Sequence, residues 1–366
     1  MKTTETRFLI VGGGLAGLLL AWRLREHDVI VLGGASLPPA SDVAAGVLNP
    51  VTGRRLTRMD DFAAFRDAAR ETYRAISPRD AHYRDTFIRR YFLDPAEISR
   101  FEERRREHGY DRFLGERDAP GAGHPAVADP LGSFRIEGVG HVEPPPILGI
   151  IRDGLGPRHL PADADWRTFD SPAGGLSLNG IRARAVICCE GVGVLRNPLF
   201  RWLPFRPVQG ETLETRIPGL APFPEILHHE KWILSLGGDR FRIGSTYRRT
   251  ATRREGSEAD SAPPPPGPTE EGRRELLAAA RRILDLPGDP EVLDHRAGIR
   301  PASRDRLPYL GPHPTRHRLF ICNGLGSKGA LLAPLLTARL AEHLTGGAPL
   351  PPEFLPSRMI ARGFRP

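Results

Sequence analysis

A chain of 366 residues, 40% of them hydrophobic, can bury a large core in one big α/β domain or in two closely joined ones. Its three cysteines, two of them adjacent at Cys188-Cys189, offer neither a disulfide framework nor zinc-ligand spacing and point to a reducing, cytoplasmic setting. The formal charge of +8 raises nucleic acid as a partner, yet only Lys2, Lys231 and Lys328 are lysines and the arginines are scattered among acids rather than gathered in a stripe.

In chain order, Phe8-Leu9-Ile10-Val11 reads as a buried strand that runs into Gly12-Gly13-Gly14-Leu15-Ala16-Gly17 and an apolar helix, with Asp28 to Leu32 as a second strand. This strand, glycine turn and helix read as the unit that binds a dinucleotide, the bland alternative being a glycine-rich turn in an ordinary α/β protein. Gly12 permits the tight turn, Gly14 lets a pyrophosphate approach the backbone, Gly17 lets the helix pack on the strand, and the helix N-terminus offers free N–H donors. Lys2 and Arg7 ahead of an apolar run also resemble a signal peptide. Three glycines, no small-residue cleavage site, and a run shorter than the roughly 20 apolar residues of a membrane span argue against that, so the N-terminus is expected to stay on and no membrane is expected.

Residues 33–57 form a glycine- and proline-punctuated segment suited to lining a ligand. A helix from Asp60 to Ile76 follows, with Phe62, Phe65, Ala69 and Tyr73 on one stripe. A strand over 86–92 and a charged helix over 95–108 come next, and 109–130 reads as a dispensable loop. Residues 134–142 alternate like a strand with one exposed face, 144–155 suggest a helix, and 183–191 a buried strand returning to the parallel sheet. Arg54-Arg55, Arg89-Arg90 and Arg104-Arg105-Arg106 read as solvated helix faces and loop positions. From Val208 to Tyr247 short alternating segments predict an antiparallel sheet. His228-His229 reads there as a solvated pair on a strand edge, and Glu190 and Glu211 read as structural. Residues 250–268, with four successive prolines, cannot be a strand. Thr269 caps a helix with Glu270 and Glu271 in its first turn. Finally Leu319 to Cys322 is a strand, 323–329 a second glycine loop, and Leu331 to Leu344 a helix that tolerates Pro334 in its first turn.

Three further segments complete a pattern: Asp42 to Gly53, Gly298-Ile299-Arg300-Pro301 continuing through Asp305 and Pro308 to Gly311, and Asn323 to Gly329. With the N-terminal fingerprint, and with Gly210-Glu211 and Gly244-Ser245-Thr246 between, the chain from Phe8 to Leu344 resembles the D-amino-acid-oxidase-like family of FAD-dependent oxidoreductases. The resemblance implies a discontinuous Rossmann-like FAD domain of the glutathione-reductase type (1–90, 140–203 and 296–366) and a largely antiparallel substrate domain (91–139 and 204–295). It implies non-covalent FAD held by Gly12, Gly14, Leu15, Ala16, Gly17, Ser41, Ala45, Gly46, Gly191, Gly324, Gly326, Ser327, Lys328 and Gly329; residue spacing suggests no metal site. The last helix would aim its positive end at the flavin N1/C2=O edge.

Arg300 matches the family arginine that grips an amino acid's carboxylate, a task its bidentate fork suits; a salt bridge within the sheet is the bland alternative. Lys328 either places its charge near the flavin pyrimidine or points to solvent. Tyr247 either walls the substrate cavity or hydrogen-bonds the substrate, or else sits in the core, the last being the default. The implied reaction is C–N oxidation of a small amine or amino acid by hydride transfer to flavin N5, with imine hydrolysis and reoxidation by oxygen or another acceptor. Two alternatives share the pattern: a standalone tRNA wobble-uridine oxidoreductase, with tRNA as its less favoured partner, and a non-enzymatic flavin-binding protein. One position departs from the family. Leu32 is followed by Gly33-Gly34 where an acidic residue usually binds the adenosine ribose, and Asp28 precedes the strand.

Overall fold

The structure is a computed structural model that describes residues 4–34, 36–78, 82–171, 174–249, 267–286 and 288–366. Lys2 and most of the proline-rich stretch, 250–266, lie outside the described residues.

Strand Thr4–Val11 pairs in parallel with Val29–Leu32 on one side and Ile181–Cys188 on the other. Leu319–Asn323 and His159–Leu160 extend the parallel sheet outward, and Tyr309–Pro312 closes one edge antiparallel. The near-continuous apolar strands require cover on both faces. Helices Leu15–Arg23, Phe62–Ile76, Pro144–Leu155 and Gly329–Gly346 supply it on one face, with Phe62, Phe65, Ala69 and Tyr73 all buried as their spacing predicts. Phe200, Leu203, Phe205 and Met359 pack on the other. The Tyr73 hydroxyl donates to the carbonyl of Ala330 at 2.7 Å, tying two helices together at the start of the last one.

A second sheet is built mainly from Val208–Arg216, Arg240–Gly244, Lys231–Gly237, Ile226–His229, Tyr83–Tyr91 and Ser133–Val142, with Glu291–Arg300 paired along the first of these. Its pairings are antiparallel except that Ile226–His229 runs parallel to Tyr83–Tyr91. Helix Glu270–Leu284 covers one face, and the Thr269 hydroxyl accepts from the Gly272 N–H at 3.0 Å as its N-cap. The Glu211 carboxylate, fully buried, accepts from the Thr269 N–H and hydroxyl and meets His295 Nε2, each at 2.9 Å, so that strand, helix and neighbouring strand are joined at one point.

Four expectations are corrected. Residues 109–130 contain the strand Leu114–Asp118 and bury Tyr110, Leu114 and Val127; its sequence, Leu-Gly-Glu-Arg-Asp, is that of an edge strand whose polar side chains hide the pairing. Ser133–Val142 is buried on both faces over its last four residues. Arg89 and Arg90 are not solvated but lie buried in the middle of the second sheet: Arg89 pairs with Asp118, and Arg90 Nε donates to Glu97 at 3.0 Å. Burial makes such pairing obligatory, since either charge alone would be uncompensated. His228 and His229 sit on an interior strand, between Lys231–Gly237 and Tyr83–Tyr91, where burial pushes His228 down to about 3.

Candidate cofactor and substrate site

The carboxyl ends of the parallel strands, the segment 36–47, and the face of the second sheet enclose an elongated cavity of 440 Å³. Its wall includes Gly12, Gly14, Leu15, Ala16, Ser41, Ala45, Gly46, Gly191, Gly326, Ser327 and Gly329. Gly17, Gly324 and Lys328 are not part of that wall, and Lys328 is half-buried.

The three fingerprint glycines divide by cause. Gly12 has φ +117°, and a Cβ on Gly17 would lie 1.8 Å from the Gly12 carbonyl oxygen, so both are imposed by the turn and by helix-on-strand packing. Gly14 is different. Its backbone is extended, and a Cβ there would meet only Pro39 Cβ and Ser41 Oγ at 3.4 Å. Protein packing therefore leaves room at Gly14, and the requirement for glycine comes from whatever occupies the cavity.

The helix that follows has no side-chain cap and no acid in its first turn, which leaves the N–H groups of that turn facing the cavity. The last helix also starts on the wall, at Gly329, without a side-chain cap. The Ser41 hydroxyl is buried with no hydrogen-bond partner in the described residues. Two uncapped helix starts, an orphaned hydroxyl and an open glycine form a site that fits a dinucleotide with an anionic centre, which is the shape of FAD.

At the end that faces the second sheet, the wall is Gly210, Thr212, Trp232, Ser245, Tyr247 and Arg300. Arg300 ends strand Glu291–Arg300, and its guanidinium lies flat over Gly210, where a Cβ would come within 2.0 Å of it. Its Nη2 donates to Ser245 Oγ at 2.8 Å and its Nη1 to the Thr246 carbonyl at 3.4 Å. The Tyr247 ring centroid is 5.9 Å away. Burial lowers its pKa, and among the described residues no carboxylate pairs with it. A guanidinium stays charged in protein surroundings, so this one faces the cavity with neutral partners only.

Tyr247 is 64% exposed, which corrects the default reading of a core residue. Lys328 has its pKa lowered by burial and no ion pair among the described residues. Sequence reasoning had no signal for Thr212 and Trp232, which reach the cavity only through strand register: Thr212 and Trp232 both pair with Gly244.

Glu190 also lines the cavity, next to Gly191. It accepts from Asn197 Nδ2 at 2.7 Å and Trp166 Nε1 at 3.1 Å, yet burial outweighs both and pushes its carboxyl up to about 7. A carboxyl raised above its ordinary 4.5 stabilises the fold fully below that value, and the contribution is lost as pH rises through 7. The flavin-free protein is expected to lose melting temperature between pH 4.5 and pH 7.5, and Glu190→Gln to flatten that part of the profile. Parallel melting profiles for the two proteins would show that Glu190 titrates normally.

A family model described as FAD dependent oxidoreductase matches residues 7–344, and the chain belongs to that family. A Rhizobium etli protein, provisionally named thiamine biosynthesis oxidoreductase ThiO, is 29% identical over 351 residues, covering 92% of this chain and 96% of its own. A glycine oxidase of Bacillus licheniformis is 25% identical over 364 residues and 92% of each chain. Among solved structures, glycine oxidase from Geobacillus kaustophilus shares the fold at a TM-score of 0.76 and 23% identity, over 96% of this chain and 98% of that one. FAD is the family's cofactor, and the chain is an FAD-dependent oxidoreductase. No helix among the described residues is long and apolar enough to cross a membrane, and no three or more His, Cys, Asp or Glu side chains among them are grouped to hold a metal ion.

Proposed function

We propose that this enzyme oxidises the C–N bond of a small amine that carries a carboxylate, an amino acid or an N-substituted glycine, and that Arg300 anchors the carboxylate. The observation that carries this reading is the Arg300 guanidinium, which faces the cavity and has only neutral hydrogen-bond partners. Burying an uncompensated charge is costly unless a counter-charge arrives, and a substrate carboxylate supplies one in bidentate geometry. Ser245 and Thr246 hold the fork in place, and Tyr247 and Trp232 wall the space beside it. Bound FAD supplies the hydride acceptor. The protein's share is to fix the amine's α carbon at one orientation and to exclude water.

The glycine oxidase relative supports the substrate class. The test is an amine panel assayed with oxygen and with an artificial electron acceptor, each amino acid set against the amine lacking its carboxylate. Turnover confined to carboxylate-bearing amines is the expected result; equal turnover of both sets defeats the assignment.

The flavin is expected to be held without a covalent bond. Cys322 is 1% exposed in its strand and does not line the cavity, and the cavity-wall thiol of Cys189 is held well above its ordinary value by its contact with Cys322 and by burial, so it is not a thiolate nucleophile. Acid or heat precipitation should leave the yellow flavin in the supernatant, and colour retained in the pellet would show a covalent link.

A further inference from the structure

In a dinucleotide fold the adenosine ribose is normally bound by an acid at the end of the second strand, which here is Gly33. A Cβ on Gly33 would lie 2.3 Å from His159 Nε2 and 2.7 Å from its Cε1. The imidazole of the neighbouring strand thus fills the space that the acid's side chain needs, and no side chain fits at position 33 without moving it. The segment that carries His159 then runs along the two glycines: the Gly33 N–H donates to the Leu160 carbonyl at 2.7 Å and the Gly34 N–H to the Ala162 carbonyl at 3.1 Å. Asp163, the next residue, lines the cavity, and its Oδ1 lies 3.6 Å from where a Cβ on Gly34 would be. Asn179 anchors this segment, donating from Nδ2 to the Asp163 carbonyl and accepting from the Asp165 N–H, each at 2.8 Å.

We infer that Asp163 is the carboxylate that binds the adenosine ribose hydroxyls of FAD, moved from the end of the second strand to the adjoining segment. A carboxylate carries two acceptor oxygens and suits a vicinal diol, whereas a neutral imidazole offers one donor and one acceptor. The exchange explains why Gly33 has no side chain, and it gives the Asp163 carboxylate, whose Oδ1 also accepts from the Ser36 N–H at 3.4 Å, a ligand at the adenosine end of the wall. The inference rests on the family's cofactor and is independent of the amine, since it is read by binding without turnover.

The test uses the whole enzyme, stripped of flavin and titrated with FAD and with the dinucleotide whose adenosine lacks the 2′-hydroxyl. The wild type should prefer FAD by about tenfold, the size of one charge-assisted hydrogen bond. Asp163→Ala should weaken FAD binding by about ten- to a hundredfold and bring the preference below about twofold. Asp163→Asn, which keeps the shape, gives a second reading should the alanine variant melt early, and should retain only part of the preference. A wild-type preference preserved in both variants overturns the inference. So does a preference lost in His159→Ala and retained in Asp163→Ala, because the imidazole would then be the ligand.

Discussion

Arg300→Lys is expected to lower kcat/KM for a carboxylate-bearing amine by about ten- to a hundredfold while the flavin content stays at the wild-type level. Lysine keeps the charge but loses the fork, and a charge-assisted hydrogen bond is worth about 1.5–3 kcal/mol, which converts to that range. The replacement also unties the side chain from Ser245 Oγ and the Thr246 carbonyl, the two contacts that aim it. For an amine without a carboxylate the loss should be much smaller. Equal losses for the two amine types would mean that Arg300 supports the second sheet rather than the substrate.

Gly14→Val is expected to abolish FAD binding and leave the fold intact. The distinction from its neighbours is physical. A side chain at Gly12 or Gly17 would strike backbone at 2.2 Å or 1.8 Å and distort the strand-helix turn itself, so loss of flavin there would be ambiguous. At Gly14 a Cβ would touch only the side-chain atoms Pro39 Cβ and Ser41 Oγ, at 3.4 Å, and no backbone, so the added side chain takes the space the pyrophosphate needs without forcing the turn apart. Size-exclusion and circular dichroism profiles matching the wild type, together with a colourless protein, are the expected pair of results. A folded Gly14→Val protein carrying stoichiometric flavin would show that the glycine turn serves structure only.

Much of the parallel sheet was legible in the sequence because its signals are local. Phe8 to Val11 runs straight into Gly12, and Ala185 to Cys189 is an apolar run that ends two residues before Gly191; such runs become buried strands wherever they are paired. The cavity's sheet-facing wall was less legible because it depends on register between segments far apart in sequence. Arg300 stood out through its Gly-Ile-Arg-Pro setting, but nothing local distinguished Trp232 from a core tryptophan. Arg89 and Arg90 show the same limit from the other side. Their burial follows from Asp118 and Glu97, partners on a different strand and on a helix, so composition alone favoured a solvated reading. The glycine at position 33 was legible as a departure, but its cause, an imidazole from residue 159, was not.

The cavity takes its walls from both sheets, so anything that fills it adds contacts between them. Ligand that binds the folded chain alone adds RT ln(1 + [L]/Kd) to its stability, about 2.7 kcal/mol at a hundredfold excess over Kd. For this protein the cell's supply of flavin is therefore a folding variable as well as a catalytic one. When riboflavin is scarce the expected outcome is fewer surviving molecules, cleared by proteolysis from the flavin-free state, rather than a full complement of idle ones.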